Sequence, residues 1–189
     1  MHIGQRLLNA LFCSVSPRTA GMNSVDLTQM SPAGILLTDV LMLIGGSPGS
    51  TAGGIKTVTV AVLLICARAN LKNADSRNIF GRRLPEQTVK KALTVVLLYG
   101  VFVVGAVFAI LCIQPELALS DTLFTVISAV ATVGFSTFTL SEVLLPVCQC
   151  ILIFLMFCGR VGSMSFMLIF TEKKTPSAVV MPEEDVLVG

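Results

Sequence analysis

Charged side chains are scarce in this sequence. Only 13% of its 189 residues are Asp, Glu, Lys or Arg, while 54% are hydrophobic; a soluble domain carries about 25% charged residues. So few charges cannot keep a surface of this size in water, and a bilayer is the natural solvent. Histidine is almost missing: the single copy, His2, stands beside the terminus. No nucleophile–base pair can be assembled around it, which argues against an enzyme. The six cysteines (Cys13, Cys66, Cys112, Cys148, Cys150, Cys158) form no CxxC or Cys/His pattern, so free buried thiols are expected. No cleavable signal peptide is expected either, because Arg6 and Asn9 interrupt the opening residues and no small-residue cleavage site follows an apolar core.

The charges that are present are sorted along the chain. No Lys or Arg occurs between Lys91 and Arg160, whereas Arg68, Lys72, Arg77, Arg82, Arg83, Lys90 and Lys91 share one short stretch. The positive-inside rule puts that stretch in the cytoplasm. A nucleic-acid patch is the rival reading of a basic cluster, but apolar segments on both sides already explain it, and no nucleic acid is expected as a partner. Ala92–Ile113 is 22 residues without a charge, enough to span a bilayer as one helix. Glu142–Thr171 is a second spanning candidate of 30 residues, with Arg160 inside it and Glu172, Lys173 and Lys174 closing it. That length requires tilt, a bend or projection. Crossing parity then places 68–91 inside, 114–140 outside and the tail 172–189 inside. We expect a multi-pass protein of the cell (plasma) membrane with its basic loop and C-terminus cytoplasmic.

Ser31–Ala67 is apolar at both ends, in Val40–Ile44 and Val58–Ala67, and broken between them. The break reads Gly45-Gly46-Ser47-Pro48-Gly49-Ser50-Thr51-Ala52-Gly53-Gly54, five glycines and a proline in ten residues. A helix does not persist through such a stretch. Non-helical backbone at membrane depth survives only inside protein or facing a watery cavity, so this segment is expected to line a transport path and to gate it; a plain hinge is the blander reading. Gly49–Gly54 followed by Lys56-Thr57 approximates the phosphate-binding G-x-x-x-x-G-K-[ST] loop. Ile55 intrudes before the lysine and no hydrophobic strand precedes it, so a membrane enzyme using the loop for phosphate is the weaker alternative.

Two apolar segments, Leu7–Ser16 and Asp121–Ala131, are too short to cross and read as re-entrant half-helices, the second with Ser120 and Asp121 as N-cap candidates. Each leads into a similar hexapeptide. Thr19-Ala20-Gly21-Met22-Asn23-Ser24 resembles Thr132-Val133-Gly134-Phe135-Ser136-Thr137 at an offset of 113, and Leu41-Met42-Leu43-Ile44-Gly45 resembles Leu155-Met156-Phe157-Cys158-Gly159 at 114. Two matches in the same order argue for duplication, and parallel repeats are a known transporter plan. Thr132-Val133-Gly134-Phe135 matches the T-V-G-Y core of a potassium-selective filter, whose backbone carbonyls replace the ion's hydration shell, at three of four positions. Glycine permits the backbone angles needed, the Thr132 hydroxyl adds an oxygen, and the carboxyl end of the preceding half-helix favours a cation. Lys56 and Arg160 are the cations expected at membrane depth, where charge is a functional signal. Arg160 follows Gly159, the repeat equivalent of Gly45, and its five donors suit the free carbonyls of the glycine-rich loop; snorkelling to the surface is the alternative.

These residues resemble the Trk/Ktr superfamily of potassium transporters. The likeness rests on Ser16-Pro17-Arg18-Thr19-Ala20-Gly21, on the run from Gly45 to Thr57, on Thr132–Thr137 and on Gly159-Arg160-Val161-Gly162. It implies an all-α membrane protein of repeated helix–pore-loop–helix units, four per complete chain, with a broken inward helix. Residues 1–67 correspond to the third unit without its first helix, 68–91 to a cytoplasmic loop, 92–171 to the fourth unit and 172–189 to a tail. Thr19, Ala20, Gly21 and Met22, with Thr132, Val133, Gly134 and Phe135, are the implied filter. Gly45 to Gly54 (Thr51 among them), Lys56 and Arg160 are the implied gate. Potassium is the substrate, and no cofactor is expected in this chain. The implied partners are lipid, the N-terminal half of the same transporter, a second copy in a homodimer, and a cytosolic regulatory subunit that binds a nucleotide such as ATP, ADP or NAD. Met22 (commonly aromatic), Phe138 (often glycine) and Ser163 (frequently proline) depart from the family pattern; they bear on the degree of selectivity. Two loops do not close a four-sided filter, so the chain is expected to act as part of a larger protein; a non-transporting fragment is the alternative.

Overall fold

The computed structural model describes residues 3–24, 27, 30–50, 52–72, 78–79, 82–83 and 85–161. Along them run α1 (Ile3–Val15), α2 (Pro32–Leu43), α3 (Thr57–Leu71), α4 (Glu86–Ile113), α5 (Leu119–Val130), α6 (Leu140–Val143) and α7 (Pro146–Val161). A two-residue antiparallel ladder, β1 (Asn78–Ile79) with β2 (Arg82–Arg83), is the one sheet among the described residues. The architecture is otherwise helical, as an all-α membrane protein requires. Thr51, residues 162–171 of the expected inward helix and the tail 172–189 lie outside the described residues.

The longest element is α4. Its 28 residues rise about 42 Å at 1.5 Å per residue, and among the described residues it is the one helix long and apolar enough to cross a membrane. It begins at Glu86, not Ala92. Pro85 supplies the extended entry (φ −64°, ψ 138°) and Glu86 the acidic first turn, both favourable at a helix start. Lys90 and Lys91 are therefore helical, and Arg68 lies in the last turn of α3; the connection between the two helices is shorter than 68–91. Val103, Val107 and Ile110 of α4 face the core, while Leu97, Val101, Val104 and Phe108 are exposed on the other side. A helix apolar all round belongs in lipid or protein rather than in water.

The centre of the core is α5. From Thr122 to Val130 only Leu123 is not buried, and the helix is covered by α4, α7 and α2. At 12 residues it is about 18 Å long, short of the ~30 Å hydrocarbon thickness. Two of its buried hydroxyls bond within the helix, Thr122 Oγ1 to Ala118 O (3.0 Å) and Thr125 Oγ1 to Asp121 O (2.8 Å), so those two threonines sit in the core without outside partners. The N-cap is Ala118, without a side-chain bond; Ser120 and Asp121 fall inside the first turn, where Asp121 meets the positive helix end.

The second spanning candidate does not start at Glu142. The short α6 ends before Leu144, whose backbone is extended (ψ 133°), and α7 starts at Pro146, because proline suits a first helical position and cannot continue an earlier turn. Two glutamines satisfy the backbone at this break. Gln114, the C-cap of α4, donates to Val143 O (3.1 Å) and accepts from Leu145 N (3.0 Å), and Gln149 donates to Leu144 O (2.9 Å) and Leu140 O (3.2 Å).

Phe124 is fully buried at the centre of this packing. Phe124→Ala is expected to lower the unfolding free energy of the chain in detergent by about 3–5 kcal/mol, measured by circular dichroism during titration with a denaturing detergent. A loss below about 1 kcal/mol is inconsistent with α5 as the core.

Candidate functional site

Two threonines carry backbone strain. Among the described residues Thr19 (φ 68°) and Thr132 (φ 57°) are the positive-φ non-glycine residues, and two positions after each comes a positive-φ glycine, Gly21 (67°) and Gly134 (94°). A β-branched residue in the left-handed region is a genuine outlier and costs of order 1–3 kcal/mol unless its surroundings hold it. Both threonines follow the carboxyl end of a half-helix, α1 or α5. Ala20 and Val133 between them are not positive-φ residues, so the sign alternates along each Thr-x-Gly run. The two runs are adjacent: a Cβ built on Gly21 would overlap the carbonyl oxygen of Val133, so only glycine fits there. Val133 and Phe135 are buried, Ala20, Met22 and Gly134 exposed.

Each run is fixed by a serine at the end of its half-helix, a pair that the sequence reading did not single out. Ser16 Oγ accepts from Met22 N at 3.1 Å and also donates to Met22 O; Ser128 Oγ accepts from Gly134 N at 3.1 Å. Both serines are buried. Each lies six residues before the amide that it holds, and Ser16 and Ser128 are themselves 112 apart, one fewer than the threonines. That one-residue slip hid the pair from a comparison made at offset 113.

The glycine-rich segment leaves α2 and returns to α3 as a closed loop. Its neck is pinned by Gly45 N to Ile55 O (2.9 Å), Ile55 N to Leu43 O (2.9 Å) and Thr57 N to Gly46 O (3.3 Å). Lys56, the N-cap of α3, turns back over the loop and donates to Ala52 O (2.6 Å) and Ser50 O (3.1 Å). Lys56 therefore holds loop carbonyls, a part expected of Arg160 as well. Arg160 is exposed in the last turn of α7. Tyr99 of α4, the chain's single tyrosine, is buried with its hydroxyl directed at the backbone of Gly54.

The loop and α7 meet the second Thr-x-Gly run at one residue. A Cβ on Gly53 would overlap Thr132 Oγ1 and come within 2.6 Å of Ala131 O; a Cβ on Gly159 would overlap Val130 O and come within 3.1 Å of Thr132 Cγ2. Thr132 thus sits between two glycines, its hydroxyl toward the loop and its methyl toward α7. Thr132 Oγ1 is buried and makes no hydrogen bond among the described residues, as is also true of Thr137 Oγ1 and of Asp39 Oδ1 in α2. The structure accordingly brings together Thr19–Met22, Thr132–Phe135 and Gly53. The loop positions Ser47, Pro48, Gly49 and Ser50 are exposed, away from that contact, and among the described residues no group of three or more His, Cys, Asp or Glu could hold a metal ion.

A chain of apolar helices, one of them long and apolar enough to cross a membrane, with a glycine-rich break and two strained Thr-x-Gly turns, has the character of a membrane protein. The profile of the TrkH family, described as a cation transport protein, matches residues 1–181, and the chain belongs to this family. It is 39% identical over 193 residues to the potassium/sodium uptake protein NtpJ of Enterococcus hirae, covering 98% of this chain and 42% of that protein. It is similar to the Ktr system potassium uptake protein B of Vibrio alginolyticus (36% identity, 98% and 40% covered) and of Bacillus subtilis (35%, 100% and 42%). The chain thus spans about two fifths of the length of these relatives.

Two glycines separate the effect of contact from that of composition. Gly159→Ala forces a methyl against the Val130 carbonyl and is expected to destabilise the chain by about 1–3 kcal/mol, whereas Gly100→Ala, which meets open space in α4, is expected to be neutral or to stabilise by up to about 1 kcal/mol. Equal effects in the same unfolding titration would remove the close approach of α7 to Thr132.

Proposed function

We propose that this chain supplies two of the backbone loops through which potassium crosses the plasma membrane in an uptake protein, together with the loop that gates them. Carbonyl oxygens of Thr19, Ala20, Gly21 and Met22 and of Thr132, Val133, Gly134 and Phe135 stand in for hydration water around the ion, and the carboxyl ends of α1 and α5 add partial negative charge. The observation that carries this reading is the approach of Gly21 to the Val133 carbonyl, which sets two strained Thr-x-Gly runs of alternating φ sign side by side. No packing gain accounts for two left-handed threonines at the ends of two half-helices. A requirement on carbonyl placement does. The potassium uptake named for the relatives agrees with it.

The gate in this reading comprises Gly45, Gly46, Ser47, Pro48, Gly49, Ser50, Thr51, Ala52, Gly53, Gly54, Lys56 and Arg160. Gly53 rests on Thr132, so the loop closes the path at the base of the run and opens it by withdrawing. Lys56 keeps the loop folded in the closed state through Ser50 O and Ala52 O. Residues 1–67 and 92–171 act as pore units and require the remaining units of a full-length transporter. A homodimer and a cytosolic nucleotide-binding regulatory subunit complete the assembly, with the basic loop and C-terminus on the cytoplasmic side.

Two measurements on a full-length transporter containing this chain test the proposal. Gly134 has φ 94° and open space around a built Cβ, so Gly134→Ser acts through the backbone alone. A strain of about 1–3 kcal/mol, relieved by turning a carbonyl, is expected to reduce potassium-over-sodium selectivity by about tenfold or more in vesicle flux; unchanged selectivity takes Gly134 out of the filter. Removing residues 47–50 is expected to raise potassium flux, and flux equal to that of the parent rejects the gate.

A further inference from the structure

A cavity of about 450 Å³ opens between the starts of α3 and α4, with the tip of the glycine-rich loop at Gly49 as one wall. This is the size of a small-ligand site. Its lining is of two kinds. Lys56, Lys91 and Thr88 supply ammonium and hydroxyl groups, and Val62 and Val95 belong to an apolar wall along the two helices; among the described residues no carboxylate lines it. Of the three donors on Lys56, two bind loop carbonyls at Ser50 and Ala52, which leaves one for a ligand oxygen. Lys91 is exposed and makes no ion pair among the described residues.

We propose that this cavity binds an acidic phospholipid, its phosphate between Lys56 and Lys91 and an acyl chain along the Val62–Val95 wall. Three observations favour a lipid over a soluble anion. The cavity lies between two apolar helices, it reaches the basic start of α4 at Lys91, and most of its wall is hydrocarbon. Basic pockets between membrane helices on the cytoplasmic side are recognised sites for anionic headgroups. Since Lys56 also holds the loop, the bound headgroup joins that loop to α4 through one ammonium. The binding claim stands apart from the pore reading: its test needs no transport, and loss of flux selectivity in other variants leaves it unaffected.

These 189 residues contain no tryptophan, so Val58→Trp at the cavity wall adds a reporter, read in the full-length transporter as the difference from the parent protein. In phosphatidylcholine vesicles, brominated phosphatidylglycerol is expected to quench this reporter at a mole fraction several-fold lower than brominated phosphatidylcholine. The preference is expected to fall by about fivefold for Lys91→Gln, and to vanish when Lys56→Gln is added. Equal quenching by the two lipids, or a preference that survives the double substitution, overturns the proposal. Displacement of the brominated phosphatidylglycerol by millimolar inorganic phosphate also overturns it, by assigning the cavity to a soluble anion. The unmodified chain provides an independent reading: native mass spectrometry after purification from a mixed membrane is expected to retain phosphatidylglycerol above its bulk fraction, and retention at the bulk fraction counts against the site.

Discussion

A peptide group inside a bilayer has no water to turn to, so each N–H and C=O must find a partner in the protein. Three departures from regular helix among the described residues answer that constraint. Where α6 gives way to α7, Gln114 and Gln149 occupy the freed backbone groups. Where α2 breaks, the neck bonds between Leu43, Gly45 and Ile55, with Lys56 over Ser50 and Ala52, do the same. Where α1 and α5 stop, Ser16 and Ser128 hold the following turn. At each of these breaks a side chain or a loop neck replaces the lost ladder.

Strain and support occur together in the two Thr-x-Gly runs. A left-handed threonine persists only when its neighbours over-determine it. The second run has three such supports: the Ser128 hydroxyl on Gly134 N, Gly53 against the Thr132 hydroxyl side, and Gly159 against its methyl side. Backbone packing enforced by glycines is stiff because no flexible side chain lies between the partners, and close-packed interiors transmit displacement rather than absorb it. The first run has the Ser16 clasp and the Val133 carbonyl, and α1 before it has no buried residue.

The sequence disclosed the helical class, the break at Gly45–Gly54 and the two hexapeptides, because each depends on composition over many residues or on glycine at a fixed place. It misjudged what depends on a single local choice. Pro85 and Pro146 moved two helix starts by several residues, in opposite directions relative to the hydrophobic runs, since hydropathy does not register where a helix can begin. Ser120 and Asp121 have the chemistry of caps, but Ala118 occupies the position, because packing of α5 into the core fixed its entry. The serine pair escaped notice through a one-residue slip, and Lys56, close in sequence to its loop, binds two loop carbonyls itself.

Thr132 is where the separate parts become one mechanism. In the pore reading, one residue lends its carbonyl to the ion path, its hydroxyl to the contact with the gating loop and its methyl to the inward helix. In that reading the loop cannot withdraw Gly53 from Thr132 without uncovering a hydroxyl that is otherwise buried and unbonded, and α7 cannot shift at Gly159 without releasing the same side chain. An unpaired buried hydroxyl costs about 1–3 kcal/mol, a penalty borne in the closed arrangement and relieved when water reaches it. If the loop is the gate proposed above, its closed state is less stable than a fully bonded contact would make it, and so within reach of control by modest binding energies at the loop.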